Sequence, residues 1–371
     1  MRKSLGLLSL CILSAAIASY VTWIQIRPNE HYLPDLRSQL VLNQGQPGDK
    51  GNLLGIQPEL FAADYQSPEH LRLKFAAYLN KARIEGLLNS KTIVVLPEHT
   101  GTWLVASGET PEVYQAASVS DAMLWLAAGN PLQLAYALLN AQGQDRLADA
   151  LFRMKAEQMA HDYQAIFGSL AKEYGVTLVA GSIVLPAPMV KNGVLQVSDG
   201  PLYNVSQVFA SDGTALGQPQ RKVVPIIDEQ GFTAASPASA LKVVDTPAGR
   251  LGVLICADSW CPENYAALAG QYVDLLAVPA FLTGNGNWSK PWGGYNGAAT
   301  PTDVDIKPGE LTEGQAWQRM AMAGRINQGG AQAGITVFMR GQLWDLGSDG
   351  QSLVASPGQH ALAADGHGAR G

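Results

Sequence analysis

Charged side chains are scarce in this 371-residue chain: Asp, Glu, Lys and Arg together make up 15% of it, whereas about 25% is usual in soluble domains. Hydrophobic residues account for 47%, which excludes the composition of a disordered or solvating protein. The length allows one large α/β domain or two to three smaller ones. The composition therefore predicts a folded protein with a sizeable core.

Basic clusters and cysteines are also few. No run of Lys or Arg exceeds two residues and the net charge is −6, which argues against a nucleic-acid partner. The three cysteines, Cys11, Cys256 and Cys261, are too few for a disulfide scaffold. No pair of histidines has the spacing of metal ligands, and we expect neither a metal nor an organic cofactor.

One long hydrophobic run lies near the N-terminus. Two basic residues precede an uncharged stretch over residues 5–26, and about 20 apolar residues span a bilayer. Tyr20 and Trp23 near its far end suit a membrane interface, and the preceding positive charges predict that the rest of the chain lies outside the cytoplasm. A cleaved signal peptide is the alternative interpretation, since residues 16–18 read Ala-Ile-Ala and would allow cleavage after Ala18. Both interpretations export the domain to the periplasmic side.

Composition divides the remainder of the chain. Residues 27–50 are polar and rich in Pro and Gln, which predicts a linker. Residues 51–360 carry strand and helix patterns without an internal repeat, which indicates one α/β domain. Residues 103–143 interrupt this rhythm and predict an insertion of short helices. Residues 361–371 are expected to form a flexible tail.

Hydrophobic spacing predicts the main elements of the domain. Apolar residues recur at helical intervals over residues 68–88 and 145–174. Continuous or alternating apolar runs predict strands over residues 52–57, 92–96, 176–180, 202–210, 241–245, 251–255, 275–278, 336–340 and 352–355. Asp212-Gly213 predicts a hairpin turn after the fourth of these runs.

Three chemically capable side chains lie beside predicted strands. Glu98 follows the run TIVVL-Pro, Cys256 follows LGVLI, and Lys222 opens VVPII. Taken singly, each has an ordinary explanation: a solvated loop carboxylate, a small buried hydrophobe and a surface charge. However, ligands of open α/β sheets bind at the carboxyl ends of strands. A base, a fixed positive charge and a thiol nucleophile at one such site suffice for acyl transfer.

The sequence around these three residues resembles the nitrilase superfamily of carbon–nitrogen hydrolases. The segments PEHTG around Glu98, YNVSQVFASDGTALGQPQRKVVP ending just past Lys222, and LGVLICADSWCPENY around Cys256 carry the resemblance. It continues through WQRMAMAGRINQ and GQLWDLGSDGQS and covers about residues 50–360. The resemblance implies a four-layer α/β/β/α sandwich, a small-molecule amide substrate and a Glu–Lys–Cys triad.

The resemblance also implies a role for each residue. Glu98 would be the base, Lys222 the cation that favours the thiolate and holds the oxyanion, and Cys256 the nucleophile that forms a thioester. The backbone N–H of Ala257 would be a second oxyanion donor. Many members carry a second glutamate eight residues after the lysine, where this chain has Gln230 and, one position earlier, Glu229. Either the loop after the lysine is one residue shorter here and Glu229 is the second glutamate, or this role is filled in another way.

Other matched positions are structural in the family. Tyr203-Asn204 corresponds to a structural pair of the family, and Asp258, Trp260, Pro262 and Glu263 correspond to the turn after the nucleophile. His99 adjoins the candidate base, so it either lines the pocket or is a satisfied polar neighbour. Cys261 is expected to be a buried bystander.

The residues after Cys256 separate branches of the family. True nitrilases usually continue with Trp-Glu, whereas Ala257-Asp258 resembles the amidase and carbamoylase branches. Apolipoprotein N-acyltransferase also has an exported domain of this type, but with several spans and Tyr-Glu after its cysteine. We therefore expect an amide hydrolase, with an N-acyltransferase or an inactive binding scaffold as alternatives.

Two further expectations concern surfaces. Trp103, Trp288, Trp292 and Tyr295 lie in the two long loops, where they form either an aromatic pocket wall or the packing of those loops. The family resemblance implies a homodimer that packs helix to helix. Small residues in the 145–174 helix and the apolar residues of the segment 317–327 are candidates for that contact, unless they bury within one subunit.

Overall fold

The computed structural model describes residues 2–28, 32–46, 48–359, 361–364 and 371. A long helix precedes the domain, and helices and strands then alternate along the chain. The α-helices are α1 Arg2–Gln25, α2 Pro68–Ile84, α3 Pro111–Gln115, α4 Val119–Gly129, α5 Pro131–Asn140, α6 Arg146–Tyr174, α7 Pro262–Ala269, α8 Glu313–Met320 and α9 Met322–Gly329.

Two sheets of six strands form the centre of the domain. The first contains β1 Asn52–Gly55, β3 Thr92–Val95, β4 Thr177–Val179, β5 Ile183–Pro186, β8 Leu202–Phe209 and β9 Ala215–Arg221. The second contains β10 Val244–Thr246, β11 Gly249–Val253, β12 Leu275–Ala280, β13 Ala333–Phe338, β16 Leu353–Ala355 and β17 Leu362–Ala363. The neighbours β1, β3 and β4 are parallel, as are β11, β12 and β13.

Smaller sheets complete the strand inventory. A three-stranded sheet joins β2 Glu59–Phe61, β14 Arg340–Leu343 and β15 Leu346–Ser348, and a hairpin joins β6 Met189–Lys191 to β7 Val194–Gln196. The sequence patterns did not predict this small sheet or the β6–β7 hairpin. Strands of three or four residues are too short to show a clear periodicity.

The two main sheets pack face to face between layers of helices. Branched apolar side chains from both sheets, such as Val95 and Val179 from the first and Val253 and Val337 from the second, form the central layer. Helices α2 and α6 cover the outer face of the first sheet, and α7 and α9 cover that of the second. The predicted four-layer α/β/β/α sandwich is confirmed, and strands buried on both faces explain the continuous apolar runs.

The long predicted helices also form, and their ends follow local chemistry. Ser67 caps α2 by accepting from the N–H of His70, with Pro68 at the first helical position. Asp145 caps α6, and Gly175 ends it in the left-handed conformation. The predicted insertion consists of α3, α4, α5 and a 3₁₀ helix over Thr102–Ala106. The predicted tail pairs as β17 over Leu362–Ala363, while residues 365–370 lie outside the described residues.

The N-terminal helix α1 is long and apolar enough over Gly6–Gln25 to cross a membrane. The sequence analysis identified this one long hydrophobic run. The structure adds a second candidate, because α4 and α5 pass the same test together although the chain bends by 105° between them. The bend at Asn130-Pro131 divides the apolar stretch into two helices, each too short to span a bilayer alone.

The residues proposed for a helix-to-helix dimer contact are mostly covered within one chain. Ala150, Ala156 and Ala160 of α6 are buried, as are Met320 and Met322 of α8 and α9. The extra apolar positions therefore pack inside the subunit, and the expectation that they face a partner is wrong for these residues. A homodimer through another surface stays a prediction.

Candidate active site

Glu98, Lys222 and Glu229 lie together in a buried charge cluster. The Nζ of Lys222 is 2.7 Å from Glu98 Oε1 and 2.5 Å from Glu229 Oε2. The side chain of Lys222 is 1% exposed and that of Glu98 is 2% exposed. Glu229 rather than Gln230 therefore occupies the second carboxylate position, and the Gln230 side chain turns out to the surface and donates to Pro225 O and Gly297 O.

Strand pairing brings the cluster together. Lys222 directly follows β9, and its N–H donates to Asn204 O on the neighbouring β8. The Nδ2 of Asn204 donates to both carboxylates, at 3.0 Å from Glu98 Oε1 and 2.8 Å from Glu229 Oε1. Asn204 therefore fixes the separation of the two acids. The sequence analysis assigned it only a structural role in the family, since a lone Asn in a strand carries no signal of its own.

The charges in this cluster perturb one another. Burial by itself would lower the pKa of Lys222, but Glu229 and Glu98 outweigh it and raise the pKa well above the usual value. Burial would raise the pKa of Glu229, but Lys222 and then His99 lower it. Lys222 and Glu229 therefore favour each other's charged form, which offsets part of the cost of burying both charges.

Cys256 follows β11 on a strained turn. Its φ is +49°, and His99, beside the candidate base, has φ +62°; residues with a Cβ adopt this left-handed region infrequently, and such strain is often found at functional sites. The Sγ of Cys256 lies 3.6 Å from Phe281 O, and the Phe281 ring meets His99 edge to face with centroids 5.9 Å apart. The carboxyl ends of β3, β11 and β12 therefore meet at one place.

Burial favours the protonated form of the Cys256 thiol. Burial raises its pKa well above the usual value, and the nearby charge of Glu98 raises it further, while Lys222 opposes both. The sequence analysis expected Lys222 to favour the thiolate. In the structure Lys222 does lower the pKa of Cys256, but burial and Glu98 outweigh this effect.

The turn after Cys256 is held by a buried carboxylate. Asp258 accepts from the N–H groups of Val223, Val224 and Ile255 at 2.9, 2.7 and 3.0 Å. Burial raises the pKa of Asp258 to about 7 despite these donors. Asp258 thus connects the segment after Lys222 to the turn that carries Cys256, and Ala257 lies half-buried between the two residues.

The Glu98 loop is fixed by its neighbour across the sheet. The N–H of His99 donates to Ser182 Oγ at 2.9 Å, and His99 Nδ1 lies 3.0 Å from Thr102 Oγ1. Gly181 has φ +69°, and a Cβ there would lie 2.1 Å from Pro97 O. A glycine is therefore required where the two loops approach, which no motif in the sequence indicated.

His99 is a polar neighbour of both acids. Its Nε2 lies 3.9 Å from Glu98 Oε1 and 3.5 Å from Glu229 Oε1. Glu98, His99 and Glu229 could by geometry hold a metal ion, since one ligand atom of each lies within 4.8 Å of the others. Both carboxylates, however, already bind the ammonium of Lys222, which supplies the positive charge that a metal would bring.

An aromatic cluster lies beside Cys256, the candidate nucleophile, and belongs to the same hydrophobic cluster. Trp260 stacks on Trp292 with centroids 6.0 Å apart, and Tyr295 meets both rings edge on. Trp317 packs against Trp260 from another side, at 4.9 Å. Of the four predicted wall residues, Trp292 and Tyr295 belong to this cluster.

The other two predicted wall residues lie elsewhere. Trp288 packs on Phe338 at the edge of the same hydrophobic region. Trp103 packs against Trp344 in the core between the first sheet and its helices. Cys261 is 2% exposed, unpaired and directed at Ala257 O; burial raises its pKa to about 12.

Comparison with known proteins shows which family and fold this chain resembles. The carbon–nitrogen hydrolase family model matches residues 147–299, a range that includes Lys222 and Cys256. Residues 147–299 of this chain are therefore similar to that family. An omega-amidase from Xenopus laevis is 30% identical over 142 residues, which are 36% of this chain and 48% of that protein. A deaminated glutathione amidase from Yersinia enterocolitica is 31% identical over 129 residues, 32% of this chain and 42% of that protein.

Solved structures agree with the fold of the domain. An amidase of the nitrilase superfamily from Nesterenkonia sp. AN1 matches with a TM-score of 0.51 and 15% identity, over 86% of this chain and 89% of that one. The matched stretch covers less than half of the sequence relatives' own length. The likeness to the nitrilase superfamily is therefore confirmed at the level of family and fold.

Proposed function

We propose that the protein hydrolyses a non-peptide amide bond through a thioester on Cys256. The observation that carries the proposal is the buried ammonium of Lys222 between two carboxylates, Glu98 and Glu229, in electrostatic contact with the thiol of Cys256. This set supplies a nucleophile, a proton carrier and a fixed positive charge within one water-poor site.

The first half of the reaction forms the thioester. Because the resting thiol is protonated, its proton passes to Glu98 as Sγ attacks the amide carbonyl carbon. The carbonyl oxygen becomes an oxyanion, which Lys222 Nζ and the N–H of Ala257 stabilise. The C–N bond then breaks, Glu98 returns the proton to the departing nitrogen, and an amine leaves while the acyl group stays on sulfur.

The second half releases the acyl group. A water gives a proton to a carboxylate and attacks the thioester carbon, the C–S bond breaks, and the proton returns to the sulfur. Glu229 is suited to position this water, because its lowered pKa keeps it ionised and Asn204 holds it at a fixed distance from Glu98. An amine that entered instead of water would make the protein an N-acyltransferase.

Mass spectrometry of the intact protein tests the proposal. The panel contains omega-amides and deaminated glutathione, for which the relatives are named, together with simple aliphatic amides. We expect a substrate to add its acyl mass to the wild type and to Cys261→Ala, and to leave Cys256→Ala unmodified and without turnover. Cys256→Ala removes one small side chain, so the fold should persist. Turnover by that variant would reject the mechanism, and an acylated amine on addition of an acceptor would identify a transferase.

We further propose that α1 remains attached and anchors the domain outside the cytoplasm. The uncharged run Gly6–Gln25 follows two basic residues, the arrangement that keeps an N-terminus inside. Reporter fusions after residue 60 test the side of the membrane, and an exported reporter should be active there. N-terminal sequencing of the mature protein distinguishes the anchor from cleavage after Ala18.

A further inference from the structure

The helices α4 and α5 bury a narrow face on the domain and leave a broad apolar face uncovered. Few of their residues are buried, namely Ala122 and Leu126 in α4 and Ala137 in α5. The exposed large hydrophobic residues along them are Leu124, Trp125, Leu132, Tyr136 and Leu139. Leu132 and Leu139 are 85% and 81% exposed. An uncovered apolar patch of this kind marks a site of interaction with a membrane or a protein.

This face is continuous with the N-terminal helix. Tyr20 of α1 donates from its hydroxyl to Ala128 O of α4 at 2.9 Å. The rings of Trp23 and Trp125 lie 5.9 Å apart, and Trp23 Nε1 donates to Glu112 Oε1 at 3.0 Å. Whatever surrounds the last turns of α1 therefore also meets α4.

The contacts occur at the depth of a membrane interface. The 20 residues Gly6–Gln25 are about 30 Å long at ~1.5 Å per residue, which matches the hydrocarbon core. By the same rise, Tyr20 lies ~8 Å and Trp23 ~3 Å from the Gln25 end. Helices that lie in the plane of a membrane bury their apolar face by about 5–10 Å.

We propose that the α4–α5 hairpin lies in the bilayer interface beside α1, with Leu124, Leu132 and Leu139 directed into the acyl boundary. The proposal rests on the anchor proposed above. An interfacial position is favoured over a second span, because α5 also packs on α6 and a crossing would remove that contact. Between residues 113 and 144, Asp121 is the only Asp, Glu, Lys or Arg, so attachment is apolar and does not require anionic lipid.

The arrangement would hold the active site at the membrane surface. The insertion that contains the hairpin begins directly after Glu98, and its first 3₁₀ helix contacts the site through Thr102 and His99. The hairpin therefore gives the domain a second attachment besides α1, which would restrict its rotation relative to the bilayer.

Spin-label accessibility in nanodiscs of neutral lipid tests the proposal with the full chain. Labels are placed singly in Leu132→Cys and Leu139→Cys, each combined with Cys11→Ser, while buried Cys256 and Cys261 are checked by mass to be unlabelled. The matched control is Tyr272→Cys, 79% exposed in the turn after α7 on the opposite outer layer. A label on native Cys11 of α1, in the wild type, reports on the anchor itself.

We expect oxygen to relax the labels at 132 and 139 several-fold more than a water-soluble nickel complex, and the reverse at 272. The proposal would be overturned if the nickel complex reached the labels at 132 and 139 as readily as the label at 272. In that case, protection of the Cys11 label by lipid would show that α1 is nevertheless an anchor. Exclusion of both oxygen and nickel from the labels would indicate a protein partner and would also overturn the proposal. Protection that appears only after anionic lipid is added would overturn the proposal as well. Loss of the Cys11 label by cleavage would reject the anchor.

Discussion

Lys222→Met should destabilise the protein and inactivate it together. The ammonium compensates Glu98 and Glu229 at 2.7 and 2.5 Å, with 1% of the side chain exposed. Without it, two carboxylates remain in one buried site, bridged by the uncharged amide of Asn204. Breaking a buried ion pair by removing one partner costs about 3–5 kcal/mol in the free energy of unfolding.

The loss should depend on pH in a defined direction. Lys222 lowers the pKa of Glu229 in the folded wild type, so the ionised pair stabilises the wild type above the ordinary pKa of Glu, and this contribution is lost as pH falls through the lowered value. In the variant, two uncompensated carboxylates raise each other's pKa. Folding then favours a protonated carboxyl, and the variant loses stability as pH rises. The difference between the two proteins should therefore be largest near about pH 8 and shrink towards about pH 5.

Catalysis should fail for a related reason. Loss of one oxyanion donor typically lowers kcat by about 10²–10³, and we expect at least this for Lys222→Met. Lys222→Arg should fail nearly as badly, because a planar guanidinium does not fit a point-charge position between two carboxylates. Lys222→Arg therefore tests whether a positive charge alone is sufficient for catalysis.

Urea unfolding of the full chain in detergent, followed by tryptophan fluorescence at both pH values, measures the stability difference. Turnover of an amide identified from the panel measures the catalytic loss. An unfolding free energy of Lys222→Met equal to that of the wild type at both pH values would refute the charge-compensation argument. Wild-type turnover by Lys222→Arg would refute the argument that a planar guanidinium does not fit between the two carboxylates.

Three further substitutions probe the site. Glu229→Gln removes a carboxylate that pairs with Lys222, so the pKa of the Cys256 thiol should fall and alkylation by iodoacetamide at neutral pH should accelerate; an unchanged or slower rate would show that Glu229 does not compete with the thiolate for the charge of Lys222. Asp258→Asn places an amide N–H against a backbone N–H. We expect this to lower the free energy of unfolding by about 1–3 kcal/mol and to lower turnover. A variant with wild-type stability would show that the hydrogen bonds of Asp258 contribute little. Cys261→Ala should keep wild-type turnover, whereas inactivation with an intact fold would show that this thiol has a role.

Local patterns in the sequence predicted an α/β domain, and the resemblance to a family predicted the sandwich and the candidate site residues. The runs that became β3, β11 and β12 are continuously apolar because both faces of each strand are buried, and this property is local to the chain. Motif order around Glu98, Lys222 and Cys256 predicted the family. The helices α2 and α6 were predicted for a similar reason, because the cap and the apolar stripe of each helix lie within its own stretch of sequence.

Only the tertiary structure decided how these residues act on one another. Glu229 rather than Gln230 faces Lys222 because the chain after β9 turns back on itself, and Asp258, which is distant in sequence, binds the start of that segment at Val223 and Val224. Asn204 and Gly181 serve the site through contacts across the sheet, which have no local signature. The protonated state of Cys256 follows from summing burial and charges over three separate segments. The uncovered face of α4 and α5 likewise emerged only when packing had determined which side of each helix the domain buries.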